Sequence, residues 1–295
     1  ERTYELFQRG DTVSIFQFES SGMREWLRKL KPTSIDDLIA MNALYRPGPM
    51  DNIPSYIARK HGRETVSYQH EMLKSILEPT FGIPVYQEQV MQAAQILGGY
   101  TLGGADLLRR AMGKKEPEKM AKQRDIFVKG CAKVNNIPAA QANQIFDLLE
   151  KFAGYGFNKS HSAAYALIAY QTAWLKAHYP AEYMAALLTS VGDARDKLAI
   201  YLNECRRMKI NVLAPDVNES IGYFAAVGDD IRFGMGAVRN VGFGVVEHIR
   251  AAREREGAFT SFHDFLRKIP LAAANKRTVE SLIKAGAFDS LGSTR

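Results

Sequence analysis

The chain has 295 residues, 46% hydrophobic by a broad count and 24% charged, with 39 Lys and Arg against 32 Asp and Glu for a formal charge of +7. That composition excludes a disordered tail, and the length suits two domains at roughly 100–200 residues each. The longest apolar run, 163–170, is far short of the ~18–20 residues of a membrane span, so no membrane partner is expected, and the polar opening Glu1-Arg2-Thr3-Tyr4-Glu5 does not read as a secretory signal.

The first 180 residues read mostly helical. The opening residues look like a helix already under way. With no initiator Met and no closing feature at Ser293-Thr294-Arg295, a piece of a longer protein is expected. Residues 13–18 alternate and predict a short strand. A helix starting at Ser21 or Gly22 carries Met23, Trp26, Leu27 and Leu30 and stops at Pro32. Ser34 then caps a helix with Asp36 and Asp37 in its first turn, and Arg46-Pro47-Gly48-Pro49 ends it near Tyr45. Pro84 is expected to open a helix closed by Gly98-Gly99, and Pro117 and Pro138 two more. A long helix over 160–178 precedes Tyr179-Pro180.

Beyond Pro180 the pattern changes. Helices are predicted at 181–190, 193–208, 244–256 and 276–285. Short strands are predicted at 211–214, 224–227 and 231–233, the last two around a Gly228-Asp229-Asp230 turn. The expected fold is mainly α: a helical domain over 1–176, then a smaller α domain over 177–295 with a short β-hairpin.

The positive charge is concentrated. Residues 108–133 hold nine Lys and Arg against three acids, nearly the whole net charge. Glu118–Lys122 and Asp125–Lys129 are i,i+4 pairs of an ordinary solvated helix, but they leave Arg109, Arg110, Lys114 and Lys115 with Asp106 alone nearby. Such a cluster suits phosphate, since Arg offers bidentate geometry and Lys a point charge.

Several chemistries fail on the residues. Gly113-Lys114 is followed by Lys115 and lacks the first glycine of a phosphate-binding loop. Neither Gly154-x-Gly156 nor Gly242-x-Gly244 completes a dinucleotide fingerprint. Asp36-Asp37 and Asp229-Asp230 are adjacent pairs that point apart, so they read as cap and turn residues, and no catalytic or metal-binding residue is assigned. Cys131 and Cys205 build neither a disulfide framework nor a zinc site, which suits the reducing cytoplasm.

Three motifs remain. Ala237-Val238-Arg239-Asn240-Val241-Gly242-Phe243-Gly244 frames a Gly-x-Gly hairpin between helical segments, the pattern of a helix-hairpin-helix element. Its backbone N–H groups at a helix N-terminus would hold DNA backbone without reading bases. Leu282-Ile283-Lys284-Ala285-Gly286-Ala287-Phe288 is a weaker second copy, lacking one glycine. In Asn158-Lys159-Ser160-His161, either Asn158 or Ser160 caps the long helix; Lys159 and His161 then sit at its positive end, with Tyr165 one turn on. Finally, Tyr45-Arg46-Pro47-Gly48-Pro49 holds Arg46 on a rigid corner.

Taken in order, Leu44-Tyr45-Arg46-Pro47-Gly48-Pro49, Val85-Tyr86-Gln87-Glu88-Gln89-Val90-Met91, Leu107-Leu108-Arg109-Arg110-Ala111-Met112-Gly113-Lys114-Lys115, Phe157-Asn158-Lys159-Ser160-His161 and Lys176-Ala177-His178-Tyr179-Pro180-Ala181-Glu182 closely resemble the C-family replicative DNA polymerases, the bacterial DNA polymerase III alpha subunits. The resemblance covers essentially the whole chain. It implies most of a fingers domain followed by a helix-hairpin-helix region, within an enzyme whose catalytic carboxylates and Mg²⁺ lie in a palm domain elsewhere, so no cofactor is expected on this stretch. By that analogy Arg46, Arg109, Arg110, Lys114 and Lys115 would meet the incoming dNTP triphosphate. Lys159, His161 and Tyr165 would border the nucleotide or template, and Val241, Gly242, Phe243 and Gly244 would hold duplex backbone. Primer-template DNA and other replisome subunits are the implied partners, and the stretch alone would be inactive. Two other readings stand beside it. A non-enzymatic helix-hairpin-helix DNA-binding or repair module leaves the Arg109–Lys115 cluster unexplained. A self-contained phosphate enzyme using Lys159 and His161 lacks a metal or base.

Overall fold

The computed structural model describes the chain except Lys115, Glu116, Asp193, Ala272, Ala274 and residues 293–295, and of Lys114 and Arg195 it describes the backbone alone. The chain forms two compact units, Glu1–Trp174 and Leu175–Arg295. The described residues are mainly helical, as expected, with one small sheet.

The first unit opens with α1 (Arg2–Arg9), α2 (Ser21–Leu30), α3 (Ile35–Leu44) and α4 (Ile53–Lys60). Ser34 and Asp37 form a reciprocal capping box on α3, and Lys60 pairs with the Asp37 carboxylate, so this acid is cap chemistry. Phe7, Phe18, Leu27, Leu30 and Tyr56 are fully buried around these helices. Residues 13–18 form no strand, contrary to the alternation. Ser14 and Gln17 take left-handed φ values of 67° and 64°, and successive turns bond Ile15 N to Thr12 O and Phe18 N to Ile15 O. The turns bury Ile15 and Phe18 on one side, a three-residue spacing that alternation does not describe.

After the short α5 (Lys74–Leu77), α6 (Gln87–Gly98), α7 (Leu102–Lys114), α8 (Pro117–Asn135) and α9 (Ala139–Ala153) share one core that includes Leu97, Leu108, Phe127, Ile145 and Phe146. α6 begins at Gln87, not at Pro84 as expected. The N–H groups of Val85 and Tyr86 donate to Gln89 Oε1 at 2.8 and 3.0 Å, which holds both residues extended. α6 and α8 approach so closely that a Cβ on Gly130 would stand 2.1 Å from Gly98 O. Arg124 is drawn onto α9, bonding Asp147 and Glu150 at 2.6 and 2.7 Å above the Phe146 ring. The division between the units falls within α10 (Lys159–His178).

In the second unit, α11 (Pro180–Ser190) and α12 (Arg195–Arg207) pack with a three-stranded sheet of β1 (Val212–Leu213), β2 (Ala225–Val227) and β3 (Asp230–Arg232), ordered β1-β3-β2. β2 and β3 are the expected hairpin, turning at Gly228 with φ 60°, while β1 pairs with β3 in parallel. Lys176 and Glu204, 1% and 4% exposed, form a buried ion pair at 2.6 Å that Arg207 joins. Burial pushes the Glu204 carboxyl upward, but hydrogen bonds from Arg207 and Lys176 outweigh it and hold the group below its ordinary range. α13 (Phe243–Glu256), α14 (Phe262–Lys268) and α15 (Lys276–Ala285) complete the unit around Phe259, Phe265 and Phe288. Among the described helices none is long and apolar enough to cross a membrane.

Candidate nucleic-acid interface

In the first unit, three segments distant in sequence meet at the start of α6. Phe157 pairs in parallel with Tyr86: Gln87 N donates to Phe157 O at 3.0 Å, and Phe157 N to Val85 O at 3.1 Å. This bridge carries the loop before α10 against α6.

Arg46 is tied to the same loop. Its Nε donates to Ala43 O at 2.9 Å, its Nη2 to Tyr155 O at 2.8 Å, and its guanidinium lies 4.3 Å above the Phe157 ring. Burial lowers the Arg46 pKa from its ordinary value, yet arginine stays cationic at any working pH. Gly48 has φ 97°, and a Cβ there would stand 2.6 Å from the Tyr155 ring, so the corner needs glycine for both conformation and space.

Glu88 sits across the N-terminus of α10. Its carboxylate oxygens accept from Lys159 N at 3.1 and 3.0 Å and from Asn158 Nδ2 at 2.9 Å. Asn158 is the cap, its Oδ1 accepting from His161 N at 2.8 Å. The positive end of this helix, where the sequence places Lys159 and His161, therefore holds the chain's own carboxylate. A carboxylate satisfies the same orphan N–H groups and the same dipole that a phosphate would. The Lys159 ammonium lies 5.4 Å above the Tyr86 ring. His161, exposed, continues an aromatic row: 5.5 Å from Phe157, 4.4 Å from Tyr165, which in turn stands 5.2 Å from Phe16.

α7 contributes the arginines. Gly113 does not break it, and Asp106 serves both. Arg109 donates to Asp106 Oδ1 through Nε and Nη2 at 3.0 and 2.7 Å, and through Nη1 to Gln87 Oε1 at 3.2 Å. Arg110 Nε meets Asp106 Oδ2 at 2.8 Å. The hydrogen bond from Arg109, with the charges of both arginines, holds the Asp106 carboxyl below its ordinary range. Arg109 is 25% exposed and Arg110 64%, so Arg110 offers the freer guanidinium. Adjacent residues stand about 100° apart around a helix, yet both side chains bend to one carboxylate. Lys115 and the Lys114 side chain lie outside the described residues.

Thus Arg46, Arg109, Lys159, His161 and Tyr165 converge around Gln87, Glu88 and Phe157. Those last three residues carry the assembly, and sequence reading assigned them no role. The side-chain hydrogen bonds that bring Arg109 to Gln87 and the start of α10 to Glu88 span 22 to 71 positions, beyond any helical periodicity.

The second unit holds the Gly-x-Gly loop. Val238 and Val241 are buried in the core beside α13, and Asn240 turns the chain at φ 65°. Thr278 Oγ1 donates to Asn240 O at 2.9 Å, and Asn240 Nδ2 to Ser281 Oγ at 3.1 Å, anchoring the loop on α15. Gly242 is the N-cap of α13, and a Cβ at Gly242 or Gly244 would meet nothing within 4 Å. The N-terminus of α13 is thus free of side-chain bulk at both glycines, while Val245 N already bonds Gly242 O at 3.0 Å. Phe243 is 49% exposed and lies 5.0 Å from Tyr223. The stretch read as a weaker second copy spans the end of α15. Gly286 ends α15 at φ 86°, Ala287 N bonds Leu282 O, and a one-turn 3-10 helix, Asp289–Leu291, follows. Among the described residues no group of three or more His, Cys, Asp or Glu forms a metal-binding cluster.

Residues 1–135 match the sequence model of the bacterial DNA polymerase III alpha subunit finger domain, and residues 209–295 that of a helix-hairpin-helix motif. The chain is 54% identical to DNA polymerase III subunit alpha of Pseudomonas aeruginosa over 98% of its own length and 25% of that protein. It is 52% identical to the subunit of Escherichia coli K12, covering 100% of the chain and 26% of the relative, and 53% identical to that of Thermus aquaticus, covering 99% and 24%. The chain therefore spans about a quarter of the length of the curated relatives it matches.

Proposed function

The chain belongs to the bacterial DNA polymerase III alpha subunit family, and from that premise we propose that it carries the nucleotide-gripping and duplex-holding parts of a DNA-directed DNA polymerase. Residues 1–176 act as the fingers and 177–295 as a helix-hairpin-helix DNA-binding domain. The observation that carries this reading is the convergence of Arg46, Arg109, Lys159, His161 and Tyr165 at the start of α6, with Arg110 beside them.

Nucleotidyl transfer asks the fingers to position a triphosphate and neutralise its charge. Arg110, the more exposed guanidinium, takes phosphate oxygens, and Arg109 holds α7 to Gln87 so that the two stay aligned. Lys114 and Lys115 join them in contacting the triphosphate. The His161–Tyr165 row offers flat faces to the nucleotide or template base. In the second unit the Val241-Gly242-Phe243-Gly244 backbone grips duplex phosphates without reading sequence. Mg²⁺ and the palm carboxylates that hold it supply the chemistry from outside this stretch, which alone does not extend a primer. Primer-template DNA, dNTP and, through the longer protein, replisome subunits are its partners.

The test is kinetic. In a polymerase containing this stretch, Arg110→Ala raises KM for dNTP about tenfold, in line with losing one charge-assisted contact of about 1.5 kcal/mol. Arg109→Ala raises KM and also lowers the melting temperature. Unchanged KM in both variants overturns the triphosphate role.

A further inference from the structure

The first unit carries a second concentration of cations that the function proposed above does not use. Between α2 and the end of α4 opens a cleft of about 740 Å³, within the roughly 300–1,000 Å³ range of ligand sites. Arg28, Lys29, Lys31, His61 and Arg63 line it together with Trp26, and none of its described lining residues is a carboxylate.

Neighbouring cations are matched. Lys60 pairs with Asp37 and Arg59 with Glu64. Those in the cleft are not. Among the described residues Lys29, Lys31 and Arg63 form no ion pair, and Lys29 instead rests 4.7 Å above the Trp26 ring. Arg28 gives its Nε–H to Arg9 O. Lys31 is held at the rim with φ 49°, a left-handed conformation that costs a non-glycine residue on the order of 1 kcal/mol. Cations at the end of α2 also offset that helix's dipole. Dipole compensation, however, calls for neither Arg63, which lies beyond α4, nor a tryptophan.

We propose that this cleft binds an unpaired nucleic-acid strand. Trp26 stacks on a splayed base, and Arg28, Lys29, Lys31 and Arg63 hold the flanking phosphates, with Lys29 leaving the ring for a phosphate. An aromatic face beside uncompensated cations is the arrangement that single strands select, because every base has a face to stack and every linkage a charge. A duplex keeps its bases stacked internally, and an acidic peptide brings charge without a ring. The inference takes from the proposed function only that nucleic acid is the ligand, and the duplex grip at Gly242 fails or stands separately.

The chain has two tryptophans, so Trp174→Phe leaves Trp26 as its only indole reporter. The 295-residue chain with that change is titrated with short oligothymidylate and, in parallel, with polyglutamate of equal charge. Oligothymidylate is expected to quench Trp26 saturably, with affinity falling as salt rises. Lys31→Glu with Arg63→Glu weakens it about tenfold or more at low salt, and the milder Lys29→Ala weakens it less, with unchanged melting in both. Gly242→Val leaves the quench intact. No quench, a quench insensitive to all these charge changes, or equal response to polyglutamate each overturns the proposal.

Discussion

Glu88 shows how one side chain can close a site that looked open. Both carboxylate oxygens accept from Lys159 N, and one also accepts from Asn158 Nδ2, so the cap of α10 is made by Asn158 and an acid 70 residues upstream. Glu88→Ala removes a charge–dipole contact and these bonds, and is expected to cost about 1–2 kcal/mol, a fall of a few degrees in melting temperature. A melt unchanged within error would show the contact to be incidental. The sequence supplied the cap position, the aromatic spacing of His161 and Tyr165, and the acid shared by Arg109 and Arg110, because all are local. It was silent on Gln87 and Glu88, whose bonds reach across the fold. It was equally silent on the partners of Arg124, a cation of the basic run that α9 neutralises.

Among the elements, the helices with caps and proline or glycine stops were the most legible. Ser34 on α3 and Pro117 at the start of α8 are local chemistry that the fold keeps. Residues 13–18 and the start of α6 misled for a common reason. Left-handed residues and a distant bridge partner decide the backbone there, and neither alters the hydrophobic pattern. Helix-on-helix distance is equally invisible in sequence, and glycines mark it unequally. Gly130→Ala places a Cβ 2.1 Å from Gly98 O, so α6 and α8 must separate, and a loss of about 1–3 kcal/mol is expected in chemical denaturation. Gly113→Ala, inside α7 with nothing within 4 Å, is expected to stabilise by about 0.5–1 kcal/mol. Equal effects of the two would contradict the close packing of α6 on α8.

For the molecule as a whole, acid stability reports on the second unit. The Glu204 carboxyl is held below its ordinary range in the fold, whereas an unfolded Glu titrates near about 4.3. A depressed pKa contributes stability that is fully present above the unfolded value and is lost as pH falls through the folded one. Melting temperature is therefore expected to change little from neutral pH down to about 5 and to drop below about 4, with Glu204→Gln flattening that drop. An identical acid limb in the variant would remove Glu204 from the account. At this scale the concentrated charge and the ordered motifs were legible in the sequence, and they led to the polymerase family. The open approach to Gly242 was not, since it depends on what the fold leaves empty. That opening makes the decisive measurement clean. Gly242→Val adds a side chain where nothing stands within 4 Å, so the fold tolerates it at about 1 kcal/mol for a poorer N-cap. Binding of the 295-residue chain to duplexes of unrelated sequence is then followed across a salt series. The account predicts affinity reduced about tenfold for every duplex alike, with melting nearly unchanged. Duplex affinity and salt dependence equal to the parent chain would contradict it.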